Sequence, residues 1–266
     1  MGKGAGLRRI HIVGLNPRTG TTLLAECLRL CFRIDRAEEH EASLFRLRRC
    51  IGVYLTKNPR DIELVGARLR LDPRFHVICM ARDPRDVAVR RHGKRPDDYW
   101  DKTSLGQFRR RWATARQLLE HPRFMLVRFE DLISRPDDVQ REIASRFPFL
   151  VETAKFSSFH ERGQISEGSS LAMNGVRPID AGNKSKWPDH IDRLRRQLQE
   201  HGSISREMVD LGYEPDDAWM AAHGIASTPP AARPRRQGGR RIGRRLANTG
   251  AAVLTGAFAR LGIPIG

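Results

Sequence analysis

Short apolar runs alternate along this chain with stretches in which apolar residues recur every three or four positions. Runs of β-forming residues lie at 10–13, 50–56, 75–81 and 123–129. Residues 75–81 are apolar almost without interruption, which is typical of a strand buried on both faces of a parallel sheet. Strands that alternate with helical segments predict an α/β fold with a central parallel sheet flanked by helices.

The segments between these runs carry helical periodicity and capping residues. Asp83 before Pro84 predicts a helix start, and this helix would run to about His92, where Gly93 would end it. Residues 157–176 are rich in Ser, Gly and His with little periodicity, which predicts a mobile loop over the functional site. The other predicted helices follow residue 20 and cover 61–71, 104–118, 136–147 and 191–201.

The first strand ends in a loop that leads directly into the first helix. Thr19, Gly20, Thr21 and Thr22 lie at this junction, where helix amides have no intrahelical partner and the helix dipole is positive. Several donors would meet one oxyanion here, which predicts a phosphate site. A Walker loop has a Lys directly after its second glycine, whereas Thr21 stands there in this chain and the cation is Arg18, two residues before Gly20.

Two further cations follow predicted strands. Lys57 comes after the second run and precedes Asn-Pro-Arg, in which Pro59 keeps the preceding residue out of the α region. Lys57 would therefore lie at the carboxyl edge of the sheet, where open α/β sheets bind ligands. Arg82 comes after the third run and directly before the Asp83 helix start. A strand, an Arg and a capped helix predict a second anion site.

The charge of the chain is strongly positive but unevenly distributed. The net charge is +17 over 266 residues, and residues 226–266 hold eight Arg and no acidic residue. The remaining charge still suits an anionic ligand. Four cysteines without metal-ligand spacing indicate reduced thiols and no metal site. Because no apolar run follows Met1, we expect a cytoplasmic protein.

The motifs, in this order, resemble those of sulfotransferases that use 3′-phosphoadenosine 5′-phosphosulfate (PAPS). The resemblance covers about residues 8–215 and is carried by P-R-T-G-T-T, K-N-P-R and R-D-P-R-D. It implies a P-loop NTPase-like, three-layer α/β fold. It also implies an enzyme that transfers a sulfonate group from PAPS to a hydroxyl or amine acceptor by in-line displacement, without a metal.

The resemblance assigns roles to individual residues. Arg18 and Lys57 would stabilise the charge that develops on the bridging oxygen, and Arg82 with Arg90 would bind the 3′-phosphate. Arg90 stands where the family has a Ser, so this contact is altered. The implied donor-binding residues are Arg18, Thr19, Gly20, Thr21, Thr22, Arg82, Arg90, Lys184 and Lys186.

The general base is the least determined part of the site. Cytosolic sulfotransferases carry a catalytic His two residues after the Lys, but Pro59 occupies that position here. Carboxylate-base members of the family carry their base shortly after the first helix, where this chain has Glu-Glu-His-Glu at 38–41. Glu39 and His40 are therefore the candidate bases, and a solvated turn is the alternative interpretation.

The domain plan and the partners follow from composition and the resemblance. Residues 1–225 are predicted to form the sulfotransferase domain, 226–245 an Arg-, Pro- and Gly-rich linker, and 246–266 a mildly apolar tail. The tail would be disordered or would dock on an anionic surface at the inner face of the membrane. Carbohydrate, glycolipid, peptide tyrosine and small alcohol all remain open as acceptor, and no specific nucleic acid is expected. A P-loop nucleoside-phosphate kinase and a non-catalytic nucleotide- or polyanion-binding module are the competing functions.

Overall fold

The computed structural model describes residues 6–46, 48–92, 95–173, 175–180, 182 and 185–225. The predicted linker at 226–245, the predicted tail at 246–266 and the candidate donor residue Lys184 lie outside these ranges. Among the helices described, none is long and apolar enough to cross a membrane.

Five parallel strands form the central sheet. The strands in chain order are β1 (Arg8–Gly14), β2 (Arg36–Ala37), β3 (Val53–Lys57), β4 (Phe75–Ala81), β5 (Arg91–His92), β6 (Arg95–Tyr99) and β7 (Phe124–Arg128). The sheet has the order β2-β3-β1-β4-β7, and β5 pairs with β6 separately. All the sheet pairings are parallel, so the four strands predicted from the apolar runs are confirmed.

Helices cover both faces of this sheet. They are α1 (Thr21–Cys31), α2 (Ile62–Leu71), α3 (Pro84–Ala88), α4 (Leu105–Arg116), α5 (Phe129–Ser134), α6 (Pro136–Arg146), α7 (Glu167–Met173), α8 (Ile191–His201), α9 (Ser205–Asp210) and α10 (Ala218–Ala222). One buried apolar cluster contains side chains of α2, α4 and α8–α10, and a second contains side chains of α1, α5 and α6. The predicted three-layer α/β fold is therefore confirmed.

The strand order places the functional edge of the sheet. β1 lies between β3 and β4, so the chain moves to one side of β1 and then to the other. This reversal is the switch point at which open α/β sheets bind ligands outside the carboxyl ends of their strands. Three strand ends meet there, since Ile12 pairs with Lys57 and Gly14 with Met80.

The helix predicted over 83–92 is wrong in length. Helix α3 ends at Ala88, and β5 (Arg91–His92) pairs with β6 (Arg95–Tyr99) as an antiparallel hairpin. The Trp100 amide donates to the Arg90 carbonyl at 2.9 Å, and the Arg91 guanidinium lies 4.2 Å from the centre of the Tyr99 ring. Cross-strand contacts of this kind override a short capped helix with few apolar residues.

The segment at 157–176 contains regular elements that periodicity did not predict. A 3-10 helix covers Phe156–Glu161, and α7 follows at Glu167–Met173. Phe159 and Ser169 are fully buried. The segment lies over the sheet edge, as expected of a segment over the site, but it includes helical turns.

Candidate active site

The loop between β1 and α1 is held in shape by its own side chains. The Thr19 hydroxyl donates to the Asn16 carbonyl at 3.0 Å, and Arg111 on α4 donates to the Asn16 side-chain oxygen at 3.0 Å. Thr21 and Thr22 then begin α1, which has 11 residues. The first amides of this helix have no intrahelical acceptor and lie at the positive end of its dipole. The loop is therefore suited to bind a phosphate or a similar anion.

Gly20 is required at the start of α1. Its φ is 88°, and a Cβ atom built on it would lie 2.4 Å from Cδ2 of Phe129. Any other residue would meet both a left-handed backbone and an aromatic ring.

Gly20→Ala is expected to lower the free energy of unfolding by about 1–3 kcal/mol from backbone strain, with a further loss from the clash with Phe129. Gly66→Ala is the matched control, because a Cβ at Gly66 in α2 would make an ordinary contact of 3.7 Å with Leu118. This second change should stabilise the protein by up to about 1 kcal/mol. Urea unfolding of both variants tests the pair, and equal stability of Gly20→Ala and wild type would contradict the packing described.

Lys57 ends β3, and its ammonium reaches the loop from the neighbouring strand. Its Nζ donates to Thr22 Oγ1 and to Ser169 Oγ on α7, both at 3.3 Å. Lys57 is only 5% exposed. Burial lowers its pKa, whereas the nearby carboxylates of Glu26 and Glu41 raise it. The structure thus places Lys57 against the first turn of α1, beside the loop that contains Arg18.

Arg82 follows β4 on the other side of β1. It is 4% exposed, its guanidinium lies 4.2 Å from the centre of the Phe129 ring, and its Nη2 lies 3.9 Å from Asp86 Oδ2. Asp83 Oδ1 accepts the Arg85 amide at 2.8 Å. The helix cap predicted at Asp83 is confirmed, and it fixes the chain directly after Arg82.

Arg90 lies close enough to Arg82 and Arg18 to be repelled by both. Burial, together with repulsion by Arg82 and then Arg18, lowers the pKa of Arg90 to about 10 despite attraction by Asp86. Arg18 itself has φ 71°, a left-handed conformation that is uncommon for a residue with a side chain. A buried arginine that is repelled by two neighbouring cations would be stabilised by a bound anion.

Asp86 brings a late part of the chain to the same place. Its carboxylate accepts the amides of Ser185, Lys186 and Trp187 at 2.7, 2.8 and 3.0 Å. The Lys186 side chain is exposed. The predicted grouping of Lys186 with Arg82 thus corresponds to a shared contact with Asp86, and ligand contact by Lys186 stays a prediction.

A cavity of about 420 Å³ lies in front of these elements. Of the residues predicted to bind the donor, those that line it are Arg18, Gly20, Thr21, Thr22, Arg82 and Arg90. Other lining residues were not predicted. The charged ones are Glu41, Arg60, Arg177 and Asp180, and the others are Pro17, Leu23, Pro59, Trp100, Phe129, Ile133, Phe159, Met173, Pro178 and Ile179. The two anion sites predicted from separate motifs therefore face one cavity.

The 38–41 segment places its side chains in different surroundings. Glu38 accepts from Tyr54 Oη at 2.7 Å and pairs with Arg46 at 3.2 Å, so it is a structural carboxylate. Glu39 and His40 are exposed, and the His40 ring lies against Gly168 of α7.

Glu41 is the residue of this segment that lines the cavity. The next amide, that of Ala42, donates to the Lys57 carbonyl at 2.9 Å, and the Leu44 amide donates to Asp61 Oδ2 at 2.8 Å. These bonds fix the backbone on the carboxyl side of Glu41 along the sheet edge. Glu39 and His40 as general bases stay predictions. Glu41 becomes a third candidate base, because it lies on the cavity wall.

No protein-family model and no curated protein sequence matches the chain. Several solved structures resemble it. One is the sulfotransferase domain of the Synechococcus olefin synthase, with 14% identity over 70% of this chain and 88% of that chain, at a TM-score of 0.48. Another is retinol dehydratase in complex with androsterone and the inactive cofactor PAP, with 12% identity over 74% of this chain and 82% of that chain, at 0.42.

A sulfotransferase from Mycobacterium tuberculosis is also similar, with 14% identity over 71% of this chain and 77% of that chain, at a TM-score of 0.36. At these identities and TM-scores the similar structures carry no argument about this chain, so its function rests on the residues that line its own cavity.

Proposed function

We propose that this protein transfers a sulfonate group from PAPS to a hydroxyl-bearing acceptor. The observation that supports this best is the single cavity lined both by the Arg18–Thr22 loop and by Arg82 and Arg90. PAPS carries two separate anionic groups, a 5′-phosphosulfate and a 3′-phosphate. A monophosphate or a linear triphosphate has no equivalent of the second group.

The residues present fit such a donor. The loop supplies helix amides, the Thr21 and Thr22 hydroxyls and Arg18 for the 5′ group. Arg82 and Arg90 supply positive charge for the 3′ group. Burial and repulsion by Arg82 and Arg18 lower the pKa of Arg90 to about 10. Bidentate contacts from guanidinium groups suit phosphate oxygens. Arg90 therefore supports the 3′ site although it replaces the Ser of the family.

The chemistry that follows requires a proton acceptor and a stabilised leaving group. The acceptor oxygen forms a bond to sulfur while the bond from sulfur to the bridging oxygen breaks, and the electron pair stays on the departing adenosine 3′,5′-bisphosphate. Lys57 and Arg18 oppose the charge on that oxygen. Glu41, on the cavity wall, takes the acceptor proton.

The cavity also bears on the acceptor. Beyond the donor residues, its wall is apolar along Leu23, Phe159, Met173 and Ile179 and charged at Glu41, Arg60, Arg177 and Asp180. The apolar part suits a hydrocarbon body, and the charged part offers hydrogen-bonding partners to hydroxyl groups. We therefore propose a hydroxyl-bearing acceptor, and small-alcohol, carbohydrate and glycolipid acceptors all fit this wall.

Nucleotide binding tests the donor assignment without knowledge of the acceptor. A charge-assisted contact is worth about 1.5–3 kcal/mol, so wild-type protein should bind adenosine 3′,5′-bisphosphate at least about tenfold more tightly than adenosine 5′-monophosphate. Arg82→Ala should remove most of this preference and barely change the affinity for the monophosphate. Calorimetric titration of both ligands measures it.

Two comparisons make this result specific. Arg91→Ala removes the same charge from a side chain that lies against the Tyr99 ring, and it should leave the preference intact. Equal affinity of wild type for both nucleotides, or tighter binding of magnesium-ATP than of the bisphosphate, would exclude the donor proposed here and favour a kinase.

A further inference from the structure

A buried carboxylate lies behind Lys57, outside the residues that line the cavity. Glu26 on α1 is 3% exposed. It accepts from Ser169 Oγ at 2.6 Å, from Ser166 Oγ at 2.7 Å and from Arg29 Nε at 2.8 Å. Ser169 is fully buried and also accepts from Lys57 Nζ at 3.3 Å. A continuous chain of hydrogen bonds therefore joins Glu26, Ser169 and Lys57.

The charge state of this chain follows from its contacts. Burial raises the pKa of Glu26, but the hydrogen bonds from Ser169, Ser166 and Arg29 outweigh it, so the pKa lies below its ordinary value. A buried carboxylate that stays ionised needs such partners. Burial lowers the pKa of Lys57, and attraction first by Glu26 and then by Glu41 opposes this shift.

We propose that Glu26 and Ser169 are positioning residues for Lys57. The Ser169 hydroxyl accepts a hydrogen bond from the Lys57 ammonium and donates one to Glu26. These two bonds fix Nζ against Thr22 at the start of α1. The negative charge of Glu26 favours the protonated form of the buried amine. This inference rests on the proposed function, in which Lys57 opposes the charge of the leaving group.

The charged groups around this chain come from several elements. Lys57 is influenced by Glu26 of α1 and by Glu41 of the loop before β3, and Glu26 by Arg29 of the same helix. Thr22, Ser166 and Ser169 are neutral. The effect of Glu26 on Lys57 can therefore be separated from that of Glu41 by single substitutions.

If Glu26 had a purely structural role, substitution of either serine that it holds would have the same effect. Ser166 and Ser169 give Glu26 hydrogen bonds of nearly equal length, at 2.7 and 2.6 Å, and both tether the α7 segment to α1. Of these two serines, Ser169 also accepts from Lys57 Nζ, whereas the Ser166 hydroxyl lies 2.9 Å from Ser169 Oγ. Ser166→Ala is thus a matched control for Ser169→Ala.

The test measures Lys57 directly. The chain has seven lysines, so carbon-13 NMR of lysine side chains can follow each titration, and Lys57→Arg identifies the Lys57 signal. Glu26→Gln, which keeps an acceptor oxygen but removes the charge, should lower the Lys57 pKa by about one unit or more, a tenfold change in the ratio of ammonium to amine. Glu41→Gln in the same spectrum shows how much of the opposing attraction comes from the cavity wall.

Turnover supplies the second readout. Glu26→Gln and Ser169→Ala should each lower kcat by about tenfold or more and move the alkaline limb of the pH profile to lower pH, with little change in the affinity for adenosine 3′,5′-bisphosphate. Ser166→Ala should have a smaller effect than Ser169→Ala, because Ser166 contacts Glu26 and Ser169 while Ser169 also contacts Lys57. An unchanged Lys57 titration in Glu26→Gln, or equal behaviour of the two serine variants, would overturn the inference.

The two proposals can fail separately. If Lys57 titrates as expected but no acceptor is sulfonated, the positioning role stands and the proposed function is wrong. If turnover from PAPS is observed but neither Glu26→Gln nor Ser169→Ala moves the Lys57 titration, the function stands and the positioning role is wrong.

Discussion

Glu41→Gln is expected to lower kcat by about 10²–10⁴-fold, while the dissociation constant for adenosine 3′,5′-bisphosphate stays nearly unchanged. An alcohol attacks sulfur slowly until a positioned base accepts its proton, and Gln keeps the shape of Glu without that capacity. Because the bisphosphate does not occupy the proton-accepting position, its binding should not report the substitution. Steady-state turnover and calorimetry on the same preparations make the comparison.

Glu41 is favoured by its position. It lines the cavity, it contributes to the electrostatic field at Lys57, and the amide that follows it is bonded to the Lys57 carbonyl at 2.9 Å. A base on this side of the cavity would thus act close to the cation that opposes the leaving group. General-base catalysis requires the base to lie near the proton of the acceptor hydroxyl, and a position on the cavity wall provides this.

Variants of the neighbouring residues are the matched controls. Glu39→Gln and His40→Asn alter exposed side chains of the same segment and should turn over within about threefold of wild type if Glu41 is the base. If Glu41→Gln turns over normally and one of the other two does not, the base is the residue predicted from sequence alone. Normal turnover in all three would remove the segment from the mechanism.

The main features of the fold could be predicted because they depend on local pattern. The apolar run at 75–81 forms β4, and the predicted loop leads into α1, which begins at Thr21. The β5–β6 hairpin could not be predicted in this way, since its strands are stabilised by partners across the hairpin and by contacts such as that between Arg91 and Tyr99. Helix α7 has the same origin, because Glu26 holds Ser166 and Ser169 from another element.

The residues of the candidate site also differ in how far local pattern predicts them. Residues fixed by a strand end or a helix start, such as Arg18, Lys57 and Arg82, were predictable because the backbone determines where they lie. Glu26 was missed because a single Glu beside the apolar face of a helix looks like an ordinary surface residue. Glu41 could not be separated from Glu39 and His40, since nothing in four adjacent titratable residues shows which of them faces the cavity.

Arg18→Ala is expected to lower kcat by about 10²–10³-fold and to weaken the binding of adenosine 3′,5′-bisphosphate far less. The loop amides, Lys57 and the two arginines of the 3′ site still hold the ground state. The charge on the bridging oxygen grows only as the bond to sulfur breaks, so a cation directed at it acts mostly in the transition state. Ala keeps a Cβ at φ 71°, so the backbone strain of the loop is the same in both proteins.

Arg18→Lys and Arg177→Ala complete the experiment. Lys restores the charge without the planar fork of Arg and should recover part of the lost rate. Arg177 also lines the cavity but belongs to neither predicted anion site, so its removal tests whether any lost positive charge would give the same effect. It should change kcat by less than about threefold. Arg18→Ala could instead bind the donor poorly and turn over normally at saturation. This result would show that Arg18 binds the donor and does not stabilise the leaving group.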